Sequence, residues 1–300
     1  MRSTELAAVT AWFAIGCGTS SGGGDDTWMA RLDDGRLLAD LSIPGTHDSG
    51  ALYEPVAGAS KAQDLTIAEQ LAAGVRYFDV RCSHQSDQFL IYHGSIDQKQ
   101  TYDQLVGTMY DFLDAHPSET MIVSVKEETA AIDDTRSFEA TFAAYVAMAP
   151  DYWALGDGVP ALGDVRGKIV LLRRFDAVAA PLGIDATAWP DNATFAIDGP
   201  ASLRIQDDYM VTSNDAKFAA ITGLVDEAKA SDGTTLFLDY TSGYMIHEGA
   251  PDILVVSDDI NTRLDDLLDA ETAGTRLGVL VMDHVTSARV HAVLETNAFP

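Results

Sequence analysis

Positive charge is scarce in this sequence. Lysine and arginine number 19 against 46 aspartates and glutamates, a formal net charge of −27 over 300 residues. A surface of that sign repels phosphate backbones and acidic bilayers, so nucleic-acid binding and membrane adsorption by charge alone are excluded. The few basic side chains near any anionic ligand must then matter more. Cysteine is scarcer still. Cys17 and Cys82 imply no disulfide framework and have no metal-ligand spacing. His247 and Glu248 lack the H-E-x-x-H pattern of a zinc site. The glycines within 18–24 lack the lysine and flanking strand of a phosphate loop, and no internal repeat is present. The apolar run at residues 6–16 is too short to span a bilayer.

What is present is an ordinary apolar fraction, 47%, enough for a large core. Short apolar runs at 37–43, 75–81, 121–126, 168–174, 203–206, 236–240 and 277–282 read as strands covered on both faces. Helical patterns lie between them, at 66–73, 101–115, 136–148, 214–230, 258–269 and 287–297. The clearest opens on Thr101 and Gln104, a capping box ahead of apolar residues at helical spacing. Strand and helix alternate to the end, so the fold class is α/β: an irregular (β/α) barrel of the TIM type, one domain over residues 28–300. Seven strands can be counted and an eighth cannot be placed. Residues 89–92 also read as a strand, too close to 75–81 for a parallel crossover, so an antiparallel hairpin is expected. The stretch 179–200, rich in Pro, Gly, Asp and Asn, reads as a long loop near the mouth.

The C-terminal strand ends of such a barrel carry its active site. Reading them off gives His47 and Asp48 after the first strand, and Asp79 and Arg81 closing the second. The third ends in Lys126, the fourth in Arg173 and Arg174, the fifth leads to Asp207 and Tyr209, and the last ends in Asp283. His93 joins from the hairpin. Two imidazoles can serve as base and acid for phosphodiester cleavage by an internal hydroxyl, with carboxylates holding their tautomers and a guanidinium clamping phosphate. No metal or other cofactor is required. Elsewhere the histidines have simpler readings. His84 belongs to the hairpin turn and is solvated, His116 closes a helix, His284 points away from Asp283, and His291 lies on the final helix.

Ser42-Ile43-Pro44-Gly45-Thr46-His47-Asp48-Ser49 resembles the first signature of the X domain of phosphatidylinositol-specific phospholipase C in its bacterial form. Matches to Arg76-Tyr77-Phe78-Asp79-Val80-Arg81, Tyr92-His93-Gly94, Trp189-Pro190-Asp191-Asn192 and Val281-Met282-Asp283 follow in the family's order. The resemblance implies that His47, paired with Asp283, is the general base on the inositol 2-hydroxyl. It implies that His93, paired with Asp48, is the general acid. Arg81 resembles the phosphate-binding arginine of metal-independent members. Asp79 either supports that arginine or is a structural carboxylate. Lys126, Arg174, Asp207 and Tyr209 match positions that contact the inositol. The implied product is inositol 1,2-cyclic phosphate. The partner implied is a phosphatidylinositol-type lipid at a membrane surface, with no obligate protein partner and a monomeric chain.

Residues 1–17 have the outline of a secretory signal, and Ala14-Ile15-Gly16-Cys17 resembles a bacterial lipoprotein box, with 18–27 as linker. The expected location is therefore secreted or lipid-anchored at the cell envelope. Residues 51–65 lack the tryptophan that bilayer-active bacterial members usually display there. Two other readings stay open: a metal-dependent barrel phosphodiesterase of the glycerophosphodiesterase kind, and a catalytically silent surface protein that binds an inositol headgroup.

Overall fold

The computed structural model describes residues 24–55 and 57–299. The expected signal and the lipoprotein cysteine lie outside them. The chain enters through two short 3-10 turns, Asp25–Arg31 and Leu38–Asp40, and reaches its first strand, β1, at Ile43–Thr46. This corrects the strand expected at 37–43. Leu37–Leu41 closes the floor of the barrel, and the Pro-Gly pair read as a break is itself strand. Pro44 pairs with Leu280 of the last strand, but the N–H groups on either side of it in sequence serve that ladder, Ile43 donating to Gly278. Pro44 faces the next strand instead, where only its carbonyl is used, accepting from the Arg76 N–H ahead of the first pair with that strand, Gly45 against Tyr77.

After helix α1 (Ile67–Ala73), capped by Thr66 and Glu69 reciprocally, come β2 (Tyr77–Gln85), β3 (Gln88–His93) and β4 (Ile96–Thr101). β2 and β3 pair antiparallel, as the short connection requires, and β4 adds to β3. Helix α2 (Tyr102–Ala115), β5 (Met121–Ile132), α3 (Phe138–Met148), β6 (Trp153–Ala154), α4 (Leu162–Val165) and β7 (Ile169–Arg174) follow. The stretch expected as a loop at 179–200 contains β8 (Ile184–Asp185) and β9 (Ala193–Ile197), which flank the loop segment proper. The chain ends with β10 (Leu203–Asp207), α5 (Asn214–Ala230), β11 (Leu236–Tyr240), a small hairpin of β12 (Met245–His247) and β13 (Ala250–Asp252), α6 (Leu254–Asp269), β14 (Val279–Met282) and α7 (Ser287–Glu295).

Seven parallel strands curl in the order β7-β5-β2-β1-β14-β11-β10, and the first and last barrel strands of the chain are neighbours. β6 and β8 pair with β7 at one edge and β9 lies antiparallel on β10 at the other. Among the described residues no ladder joins those edges, so the barrel is open there. β1, β11 and β14 are buried along their whole length, consistent with strands covered on both faces. Their N-terminal end is closed by an ion pair with both side chains fully buried: Arg76 Nη2 lies 2.9 Å from Glu119 Oε2. The other Arg76 nitrogens donate to the same carboxylate and to the carbonyls of Leu71 and Val75.

Candidate active site

Strand register assembles the mouth. β1 pairs with β14 so that Thr46 faces Met282, and the next residue on each strand is His47 and Asp283. Their side chains meet, with His47 Nδ1 2.7 Å from Asp283 Oδ1. On the other side of β1, Arg81 of β2 pairs with Lys126 of β5, which pairs with Arg174 of β7. Three cations thus stand in one row across three strands, in a chain that has few to spend. Arg173, one residue earlier, points the opposite way, donating to the carbonyls of Leu182 and Phe175 and pairing with Asp185.

The antiparallel β2–β3 hairpin returns His93 to this level. The His47 and His93 rings lie 6.0 Å apart, perpendicular. Each has its Nδ1 engaged. That of His47 donates to Asp283, and that of His93 donates to the backbone carbonyl of Ser60 at 2.9 Å. Nε2 is therefore the free ring nitrogen of both. The expected partner of His93, Asp48, is only an ion-pair neighbour at 3.7 Å. Asp48 sits fully buried at φ +40°, with neither carboxylate oxygen hydrogen-bonded among the described residues. Burial pushes its pKa up, against the opposing pull of His93 and Arg81. Burial likewise acts to lower the pKa of His47, but the Asp283 carboxylate outweighs it and the net shift is upward.

Asp79 anchors the cation row from below. Arg81 Nε and Nη2 both lie 3.0 Å from its Oδ2, and Arg174 Nη1 lies 3.6 Å from its Oδ1. Burial would raise its pKa, but these two guanidiniums hold it well below the usual carboxylate range. It stays ionised and fixes Arg81 beside the histidines. The far wall is built on Trp189. Arg174 stacks over its ring at 3.7 Å, and its Nε1 donates to Asp207 Oδ2 at 3.0 Å. Tyr209 donates to Asp191 at 2.6 Å, which raises its pKa to about 12, so it is a neutral hydroxyl. These groups enclose a cleft of about 320 Å³, in the size range of small-ligand sites.

The structure brings all ten expected site residues to one end of the barrel. His47, Arg81, His93, Lys126, Arg174, Asp207 and Tyr209 line the cleft, while Asp48, Asp79 and Asp283 are buried behind it.

A family model for the phosphatidylinositol-specific phospholipase C X domain matches residues 38–175. The chain is 32% identical over 234 residues to a 1-phosphatidylinositol phosphodiesterase of Staphylococcus aureus, spanning 72% of this chain and 75% of that one. A 1-phosphatidylinositol phosphodiesterase of Listeria monocytogenes is 30% identical over 288 residues, 91% of this chain and 85% of that one. The chain belongs to the phosphatidylinositol-specific phospholipase C X-domain family. The structure of a mutant of the S. aureus phosphatidylinositol-specific phospholipase C superposes with a TM-score of 0.83 at 27% identity, covering 92% of this chain and 98% of that one. The Listeria monocytogenes enzyme gives 0.73 at 26% identity, covering 92% and 100%.

The X-domain match runs from the floor of β1 to the end of β7. It therefore includes the histidines and the cation row, whereas Asp207, Tyr209 and Asp283 lie beyond it. Several site residues escaped sequence reasoning. Glu128 lines the cleft, pairs with Lys126 at 2.6 Å and accepts the Gly94 N–H at 3.0 Å. It continues β5 two residues past the expected strand end, where a strand of ordinary length would have stopped. Trp189 opens the Trp-Pro-Asp-Asn motif, but its stacking under Arg174 depends on a loop no periodicity describes. His84 is a correction. It is buried in β2 against Phe89 and Phe138 and bonded to Thr141 at 2.9 Å, because α3 packs over the hairpin. With Asp87 and Asp134 it forms the one group of metal-ligand type among the described residues. Both carboxylates there already accept backbone N–H groups, and the group lies outside the cleft.

Proposed function

We propose that this protein cleaves phosphatidylinositol, or a glycosylated form of it, by internal attack of the inositol 2-hydroxyl on phosphorus. The observation that carries the reading is the facing pair of imidazoles, each with Nδ1 occupied and Nε2 free, beside Arg81. His47 Nε2 takes the proton from the 2-hydroxyl, and the positive charge that forms is stabilised by Asp283. The oxygen bonds to phosphorus as the bond from phosphorus to the diacylglycerol oxygen breaks. His93, as imidazolium, gives its Nε2 proton to that oxygen. Diacylglycerol leaves, and inositol 1,2-cyclic phosphate remains, to be hydrolysed slowly with the two roles exchanged. Arg81 clamps the phosphoryl oxygens as they gather charge, and Lys126 and Arg174 extend the positive field. Asp207 and Tyr209 contact the inositol hydroxyls. The balance of the reaction needs no metal.

The family relationship supports this chemistry over that of a glycerophosphodiesterase, and the complete set of groups argues against a silent headgroup binder. On the same reading the chain works as a monomer at a membrane surface outside the cell. Residues 1–17 would export it, and Cys17 would be a lipid attachment site if the stretch is of lipoprotein type. The test is a pair of variants on two substrates. His93→Ala should be rescued by a substrate with a good leaving group, because only the acid becomes dispensable, and His47→Ala should not. Equal rescue of both would overturn the assignment of roles.

A further inference from the structure

His93 is held by a segment that carries no catalytic side chain of its own. After β1 the chain runs out to the rim and returns, and its ends close where the N–H groups of Ala62 and Gln63 both donate to the Ala51 carbonyl, at 2.9 and 3.1 Å. At the base of this loop Gln63, fully buried, donates to the carbonyls of His47 and Met282, at 2.8 and 2.7 Å. Nearer the top Ser60, also fully buried, presents its carbonyl to His93 Nδ1. One loop therefore touches the backbone of one histidine and the ring of the other.

Two side chains hold the Ser60 carbonyl where it is. Ser60 Oγ donates to the Tyr53 carbonyl at 3.1 Å, crossing the loop. Gln98, on β4 and 2% exposed, accepts the Tyr53 N–H on Oε1 at 2.8 Å, and its Nε2 lies 3.5 Å from the Ser60 carbonyl. Tyr53 is thus pinned from both backbone sides, and the loop is tied to the hairpin that carries His93. A buried glutamine in a half-buried edge strand of mostly polar residues, Ile96–Thr101, has no packing purpose that an apolar side chain would not serve better.

We propose that Ser60 and Gln98 are positioning residues for His93: together they fix the Ser60 carbonyl so that it accepts from Nδ1 and leaves Nε2 aimed at the leaving oxygen. The inference rests on the functional reading above only for what His93 does with that nitrogen. The orientation itself is a property of the free protein. A backbone carbonyl accepts only from a protonated nitrogen, so it selects the Nδ1–H tautomer without adding the full negative charge that Asp48 would bring. Asp48, at 3.7 Å, then stands as a field on the imidazolium rather than as the group that orients the ring.

The test is nitrogen-15 NMR of the His93 ring in the full chain, with steady-state kinetics on phosphatidylinositol. In the parent protein His93 should show the Nδ1–H tautomer when neutral. In Gln98→Met and in Ser60→Ala the tautomers should mix, and kcat should fall on the order of tenfold with KM little changed, the usual effect of loosening a catalytic histidine's outer partner. Asp48→Asn should leave the tautomer unchanged. If Gln98→Met folds poorly, Ser60→Ala, which removes one hydroxyl, carries the same prediction. A His93 that keeps its tautomer and kcat in both variants would overturn the proposal, as would an Asp48→Asn variant in which the tautomer is lost. Mixed tautomers in both variants of a protein that cleaves no phosphatidylinositol at all would instead uphold the positioning and remove the proposed function.

Discussion

At the scale of single residues, the account depends on His47 having a raised pKa. The base works as neutral imidazole, so an upward shift holds the acidic limb of the rate profile above the ordinary histidine value. Asp283→Asn keeps the hydrogen-bonding shape but removes the carboxylate, leaving burial to push the pKa down. The acidic limb should move to lower pH and the plateau rate should fall, and an NMR titration of His47 in both proteins reads the shift directly. An unmoved His47 pKa would show that the 2.7 Å contact carries no charge coupling. His47→Ala and His93→Ala should each lower turnover by at least roughly 10²-fold, because each removes one proton transfer. His47 is 8% exposed, less open than a barrel-mouth position suggests, so its alanine variant should also lose stability by leaving Asp283 without its partner. The residues themselves were legible because the chemistry-bearing side chains cluster at the strand ends. The partner of His93 was not, since a backbone carbonyl on a rim loop leaves no trace in side-chain identity.

At the scale of elements, alternation of strand and helix placed six of the seven parallel strands, and the closeness of 75–81 to 89–92 dictated the hairpin. What failed were edges and irregular pieces. β1 was displaced because Pro and Gly normally end strands, whereas here proline falls ahead of the register with β2 and offers only its carbonyl on that side, and glycine is needed for close approach. A Cβ on Gly45 would lie 3.0 Å from Tyr77 and 3.2 Å from Val279. Gly45→Ala should therefore destabilise the fold by about 1–3 kcal/mol, as overpacking does, measured by denaturant melts. The short strands β8 and β9 were hidden in a stretch whose turn residues dominate its composition. The buried pair at the barrel floor supplies another element-scale test. Glu119→Gln leaves Arg76 charged and uncompensated where α1, β2 and the first turn meet, so stability should fall by about 3–5 kcal/mol. Activity per folded molecule should be unchanged, since that end lies opposite the cleft.

At the scale of the whole molecule, the charge of −27 and the cation row at the mouth act against each other. The net field repels an anionic bilayer, while on the proposed reading Arg81, Lys126 and Arg174 draw in one phosphate at short range. Adding salt contracts the Debye length from about 30 Å at 0.01 M to about 8 Å at 0.15 M, which screens the distant repulsion before the partly buried attraction. The rate on phosphatidylinositol in acidic vesicles should thus rise over that interval, and a steady fall would contradict this balance. Composition made the repulsion legible, but not its local reversal, which needs the register that sets three cations side by side. The central claim joins these scales: two histidines and an arginine perform an internal phosphoryl transfer without a metal. It is tested most directly by phosphorus NMR of the full chain with phosphatidylinositol in excess EDTA. The account predicts the signal of a five-membered cyclic inositol phosphate, appearing first and decaying slowly to the monoester. A direct rise of the monoester with no cyclic signal, or complete loss of turnover that added calcium restores, would contradict it.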